Sequence, residues 1–177
     1  MTEAVARPSN ATTLLFFAGA VIALSHLANE WVKLEQPWGP TWKAAGIVVL
    51  GLYALSQRAW LAGWGLLFSS AGDVLLELDG LFVFGMAAFG IAHICYAFAF
   101  VNLIRRDGPN IGAWPMAMGV LGISIVLGVW LAPGMGALTA PALVYQLVIS
   151  LMVMLALLSK APLLARVGAV LFMLSDT

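Results

Sequence analysis

Seven stretches of nearly unbroken apolar residues, separated by brief polar punctuation, fill the chain from about residue 13 onward. They cover about 13–29, 43–57, 60–78, 81–104, 111–132, 137–159 and 162–177. A helix rises about 1.5 Å per residue, so ~20 apolar residues cross a hydrocarbon core ~30 Å thick. Each run therefore reads as a membrane-crossing helix. The second is short unless Trp42 and Lys43 sit at the interface, and the seventh, with about 16 residues, is marginal for a full crossing. The links Glu77 to Gly80, Arg105 to Asn110 and Ala132 to Gly136 are short, which makes consecutive helices antiparallel neighbours. Pro109, Pro133 and Pro162 fall in such links, where a missing N–H does least harm. The predicted fold is all-α: a polar N-terminal segment over 1–12 and one polytopic transmembrane helix bundle over 13–177. No internal repeat is visible, which speaks against an inverted-repeat transporter. No small-residue cleavage pattern closes the first run, so it is expected to be a retained span rather than a signal peptide.

Composition strengthens this picture. The chain of 177 residues is 63% hydrophobic and 9% charged, with a mean hydropathy of +1.02. A soluble domain carries roughly 25% charged residues, so lipid must be the solvent. The formal net charge is zero and the basic residues are scattered, which excludes a nucleic-acid surface. Cys95 lies inside an apolar run and reads as packing. If the spans alternate, the N-terminal side collects Arg7, Arg58, Arg105, Arg106, Lys160 and Arg166, against Lys33 and Lys43 opposite. That bias predicts a multi-pass protein of a bacterial inner (plasma) membrane with a cytoplasmic N-terminus. Trp31, Trp38 and Trp42 crowd the first outer loop, as interfacial aromatics do.

Against this background the polar positions stand out. Asp73 follows Gly72 about 14 residues into the third run, and Asp176 follows Ser175 about 14 into the seventh. Both runs point outward, so both carboxylates lie ~20 Å from the inner surface. A charge at the bilayer centre costs at least ~2.5–3.5 kcal/mol, so such residues face a cavity or a partner. Tyr145 reaches a comparable layer, Lys43 can reach down into it with its long stem, and His93 lies somewhat deeper beside Phe89 and Tyr96. Simpler readings stay open for each. Asp73 could pair with Lys43 to hold helices together, and Asp176 could be a solvated end. His93 could be a satisfied core histidine and Tyr145 a packing residue with a bonded tip. Glu77 with Asp79 reads as the acidic cap of a loop, and Met152 and Met154 read as packing.

The polar positions also sit in familiar surroundings. Gly65-Leu-Leu-Phe-Ser-Ser-Ala-Gly-Asp-Val-Leu-Leu76 resembles the Gly-Asp helix of the YhhN-like family, whose characterised members are lysoplasmalogenases. Phe82, Gly85, Phe89, His93 and Tyr96 follow at that family's spacing. Pro141, Tyr145 and Met152 resemble a further helix, and Gly168-Ala-Val-Leu-Phe-Met-Leu-Ser-Asp176 resembles the closing motif. Lys43, after the Trp-rich loop, is similar to the family's lysine at the head of the second span. The resemblance runs from about residue 40 to the end, and it implies eight spans, the eighth beyond the Ser-Asp motif.

It also implies hydrolysis of the vinyl ether bond of a lysoplasmalogen, giving a fatty aldehyde and a glycerophospho-headgroup. The partners implied are a lysophospholipid substrate and membrane lipid, with no cofactor and no metal. A vinyl ether resists base but opens when its β-carbon is protonated to an oxocarbenium ion, to which water adds. That requires one carboxylic acid and one carboxylate, the division of labour by which glycosidases meet an oxocarbenium. Asp73 and Asp176 are the expected catalytic pair. His93, Tyr145, Lys43, Tyr96 and Ser175 are expected to bind substrate or support that pair. Two rivals remain at this point. Asp73, His93 and Asp176 could hold a zinc ion in a metal-dependent lipid hydrolase, or buried acids could serve a proton-coupled carrier.

Overall fold

The computed structural model describes residues 10–32 and 38–176. Among them are seven long helices and no strand. These are α1 (Asn10–Ser25), α2 (Trp38–Ser56), α3 (Trp60–Glu77), α4 (Phe82–Asp107), α5 (Trp114–Leu131), α6 (Thr139–Leu158) and α7 (Leu163–Ser175). Each coincides with one apolar run. Two differ in length from the sequence reading. α2 starts at Trp38, because Pro40 in a first turn forfeits no intrahelical hydrogen bond. α7 has 13 residues, opened by Pro162 and closed by Asp176, whose N–H reaches back to the carbonyls of Phe172 and Met173. Arg7 and Lys33 of the charge count lie outside the described residues.

Among the described residues, four stretches are long and apolar enough to cross a membrane: Asn10–Ala28, Phe82–Asp107, Ile111–Gly134 and Gly136–Leu158. Thr41–Ser56 and Leu163–Ser175 are shorter apolar helices. Polarity is inverted relative to a water-soluble globule. Large apolar side chains such as Val126, Val129, Trp130 and Leu164 are exposed, while Asp73, His93, Ser69, Ser70, Ser124 and Ser150 are buried. Water would not tolerate so much contiguous apolar surface; hydrocarbon does. The protein is an integral membrane helix bundle.

Neighbours in sequence pack as neighbours in space, with one exception. α1 packs on α2, α2 on α3, and α3 on α4, but α4 then packs on α6, which α5 and α7 flank. The densest core accordingly surrounds α6, where Ile149, Met152, Val153 and Ala156 meet Ala117, Ala169 and Met173 of the flanking helices. Small residues set the close approaches, as membrane helix interfaces require. A Cβ on Gly46 would come within 2.5 Å of the Ala23 backbone, where α1 crosses α2. Gly108 ends α4 with φ of 78°, a conformation costly for any residue with a Cβ. Beyond it, Asn110 N–H donates to the Leu158 carbonyl at 2.7 Å, tying the N-terminal-side ends of α4 and α6.

Candidate active site

Two polar constellations occupy the end of the bundle opposite the N-terminus. The first lies between α2 and α3. Asp73, on the buried face of α3, receives the Lys43 ammonium on Oδ1 at 2.6 Å. The Lys43 side chain is 46% exposed and that of Asp73 is 9% exposed, so the lysine stem runs from the surface down to a carboxylate sealed from it. One residue earlier, Gly72 has no side chain because the Phe89 ring of α4 lies against it.

The second constellation joins α4, α6 and α7. The Tyr145 hydroxyl donates to Asp176 Oδ2, while its oxygen lies 3.1 Å from His93 Nε2. Ser175 Oγ lies 3.0 Å from the other carboxylate oxygen, Oδ1, and 2.8 Å from the Phe172 carbonyl, so its one proton is divided between the two acceptors. His93 is completely buried, and its second ring nitrogen, Nδ1, has no hydrogen-bond partner among the described residues. Aromatic rings enclose the imidazole: Phe172 meets it edge-on with centroids 4.9 Å apart, and Phe89 stacks at 6.4 Å. Tyr96 stands behind, its hydroxyl 3.3 Å from Ser69 Oγ.

A cavity of about 620 Å³ opens beside the second constellation. Leu76, Phe82, Phe89, Tyr145, Gln146 and Asp176 are among its lining residues, along with the loop that joins α5 to α6. Among the described lining residues Asp176 alone carries a carboxylate or a cation, and unlike the buried Asp73 it is exposed, so the acid expected to be buried stands at the open chamber. Asp73 sits one helical turn from Leu76, which lines the chamber, but does not line it itself. Lys43, Tyr96 and His93 do not line the chamber. Of the residues expected from the sequence, Asp176, Tyr145, His93 and Ser175 form one hydrogen-bonded chain, and Lys43 with Asp73 forms a separate pair. Among the described residues no three His, Cys, Asp or Glu side chains converge, so the Asp73, His93 and Asp176 zinc set is not assembled.

Two contributors escaped the sequence reading. Gln146 lines the chamber and donates from Nε2 to the Ser124 carbonyl at 2.7 Å, and Ser124 Oγ lies 2.5 Å from Ser150 Oγ. The signal was there, since a glutamine beside Tyr145 deep in an apolar run calls for a partner. Phe172, which walls in both His93 and Phe89, stood within the closing motif of the resemblance, but its packing against the imidazole did not show there.

The chamber has mostly apolar walls and presents the Asp176 carboxyl group, the Tyr145 and Ser175 hydroxyls and the Gln146 amide. The sequence profile of the YhhN family matches residues 38–177, which include both constellations. The chain belongs to the YhhN family. Two relatives named lysoplasmalogenase, from Mycobacterium bovis and Mycobacterium tuberculosis, are each 37% identical to it over 149 residues. The match covers 78% of this YhhN chain and 57% of each relative, so the chain spans little more than half the length of the relatives it matches. No solved structure matches it.

Proposed function

We infer that this YhhN protein hydrolyses the vinyl ether bond of lysoplasmalogens, releasing a fatty aldehyde and a glycerophospho-headgroup. The observation that carries this reading is the acid facing an apolar chamber, with a second carboxylate, Asp73, one helical turn from the lining residue Leu76. The names of the two mycobacterial relatives support it independently.

In this assignment Asp176 is the general acid. It lines the chamber, accepts from Tyr145 on Oδ2 and has Ser175 Oγ beside Oδ1. Its proton goes to the β-carbon of the vinyl ether, and the C=C electron pair forms the new C–H bond. The positive charge then resides on the oxocarbenium. Asp73, in its ion pair with Lys43, contributes a negative field that steadies this cation. Water adds to the oxocarbenium carbon and gives its proton back to Asp176. The resulting hemiacetal breaks its bond to the glycerol oxygen, which leaves as an alcohol while the former vinyl carbon becomes an aldehyde. No net proton is consumed. A single-chain lipid enters sideways from the bilayer with its tail along the apolar wall. The basic residues Arg58, Arg105, Arg106, Lys160 and Arg166 at the N-terminal-side end, against Lys43 at the other, support a cytoplasmic N-terminus in a bacterial inner membrane.

The test is aldehyde release by purified protein in detergent from a lysoplasmalogen and from its saturated ether analogue. Aldehyde is expected from the vinyl ether alone. Asp73→Asn and Asp176→Asn are each expected to lose at least ~100-fold in rate with helical content unchanged, Asp176 as a general acid and Asp73 as a preorganised charge. Near-normal rates in both variants would sink the two-carboxylate mechanism. Substrate captured but recovered unchanged would favour a carrier.

A further inference from the structure

The hydroxyl of Tyr145 has one proton and two neighbours, and this constrains His93. With that proton donated to Asp176 Oδ2, the Tyr145 oxygen must accept from His93, so Nε2 carries the ring proton and Nδ1 is bare. Nδ1 is the fully buried atom without a partner among the described residues, and an unpaired lone pair in a ring-lined pocket is the less demanding vacancy. The acid proton of Asp176 therefore belongs on Oδ1. If Oδ2 itself is protonated, or the side chain is removed, Tyr145 is released to donate to Nε2, and the ring proton must then sit on Nδ1. Tyr145 thus links the state of Oδ2 to an imidazole that does not line the chamber.

We propose that Tyr145 and His93 are positioning residues for Asp176, and that the tautomer of the buried imidazole follows the state of that carboxylate. His93 holds the phenol, and the phenol holds Oδ2. With Oδ2 so fixed, the acid has a defined orientation at the chamber before substrate arrives. The groups around the chain are few. Phe89, Tyr96 and Phe172 surround the imidazole, and Asp73, itself paired with Lys43, is the nearby charge. The kinetic part of this inference rests on the hydrolase reading; the tautomer part does not.

The experiment has two arms. In the first, the full chain is labelled with ¹⁵N-histidine and its ring nitrogens are observed by NMR. The chain has two histidines, and His26→Gln assigns the spectrum. The wild-type protein is expected to show His93 protonated at Nε2, and Asp176→Ala to show it protonated at Nδ1. The same tautomer in both overturns the linkage. Should Asp176→Ala fail to fold, Tyr145→Phe decides the point. It leaves Nε2 without an acceptor and is expected to give mixed tautomers, so an unchanged spectrum overturns the proposal. In the second arm, Tyr145→Phe is expected to lower kcat about 10–100-fold with KM within about threefold, as loss of orientation does. A wild-type kcat, or a loss confined to KM, overturns the positioning role. Absence of aldehyde from the wild-type protein counts against the hydrolase reading and leaves the NMR arm to decide the linkage.

Discussion

Gly72 tests whether the packing of α3 on α4 shapes the chamber. An added Cβ would lie 2.4 Å from Phe89 Cδ2, 2.6 Å from Cε2 and 2.9 Å from Cγ, distances that real atoms do not tolerate. The ring cannot swing away freely, because its other side meets Phe172 with centroids 5.8 Å apart and it stacks on His93. Gly90 on α4 is the matched control: a Cβ there meets nothing within 4 Å. Both glycines lie inside helices, so the intrinsic gain from glycine to alanine, about 1 kcal/mol, is common to both and cancels in the comparison. What remains is the cost of overpacking, about 1–3 kcal/mol. At roughly 2–4 °C per kcal/mol for a chain of this size, Gly72→Ala should melt about 2–12 °C below Gly90→Ala. Thermal unfolding in detergent, followed by circular dichroism, measures the difference. Aldehyde release should fall in Gly72→Ala alone, since Phe89 is a wall of the chamber. The double variant Gly72→Ala/Phe89→Leu should recover at least half of the lost melting temperature. Equal melting of the two alanine variants, with equal activity, would refute the reasoning and show that Phe89 has another place to go.

Lys43→Gln removes the only ion-pair partner of Asp73 among the described residues. The loss should be about 1–3 kcal/mol, below the ~3–5 kcal/mol of a fully buried pair, because the lysine is half exposed. Adding Asp73→Asn should restore most of that stability without restoring turnover, whereas a further loss of stability would show that the pair is not what holds the carboxylate. Ser150→Ala breaks the hydroxyl contact with Ser124 between α5 and α6. Bonds of this kind average about 0.6 kcal/mol in membrane bundles, so a shift of about 1–2 °C is expected with kcat unchanged. A fall in kcat would mean that Gln146, which bonds the same stretch of α5, transmits the change to the chamber.

The sequence alone determined the class of the protein, because hydrophobic length and the penalty for a charge in hydrocarbon are properties of a local stretch. All seven runs became helices, and the two carboxylates were conspicuous for the same reason. Proline and glycine at the links were readable because they act on their own backbone, as Gly108 does at the end of α4. Partner choice was a different matter. The sequence left the pairing of Lys43 with Asp73 as one open reading and did not offer that of Tyr145 with Asp176; both depend on how each helix is rotated and how closely it approaches the next, across 30 and 31 residues of chain. The skipped neighbour is another such case: α4 packs on α6, which brings His93 to Tyr145 and leaves Phe172 of α7 to close the ring pocket. No local pattern encodes that order, since in lipid every apolar face is equally soluble and only shape, small residues and buried hydrogen bonds discriminate between packings. The depth of the chemistry was therefore written along the chain, while the division into an ion pair behind the wall and an acid facing the chamber arose only when the helices came together.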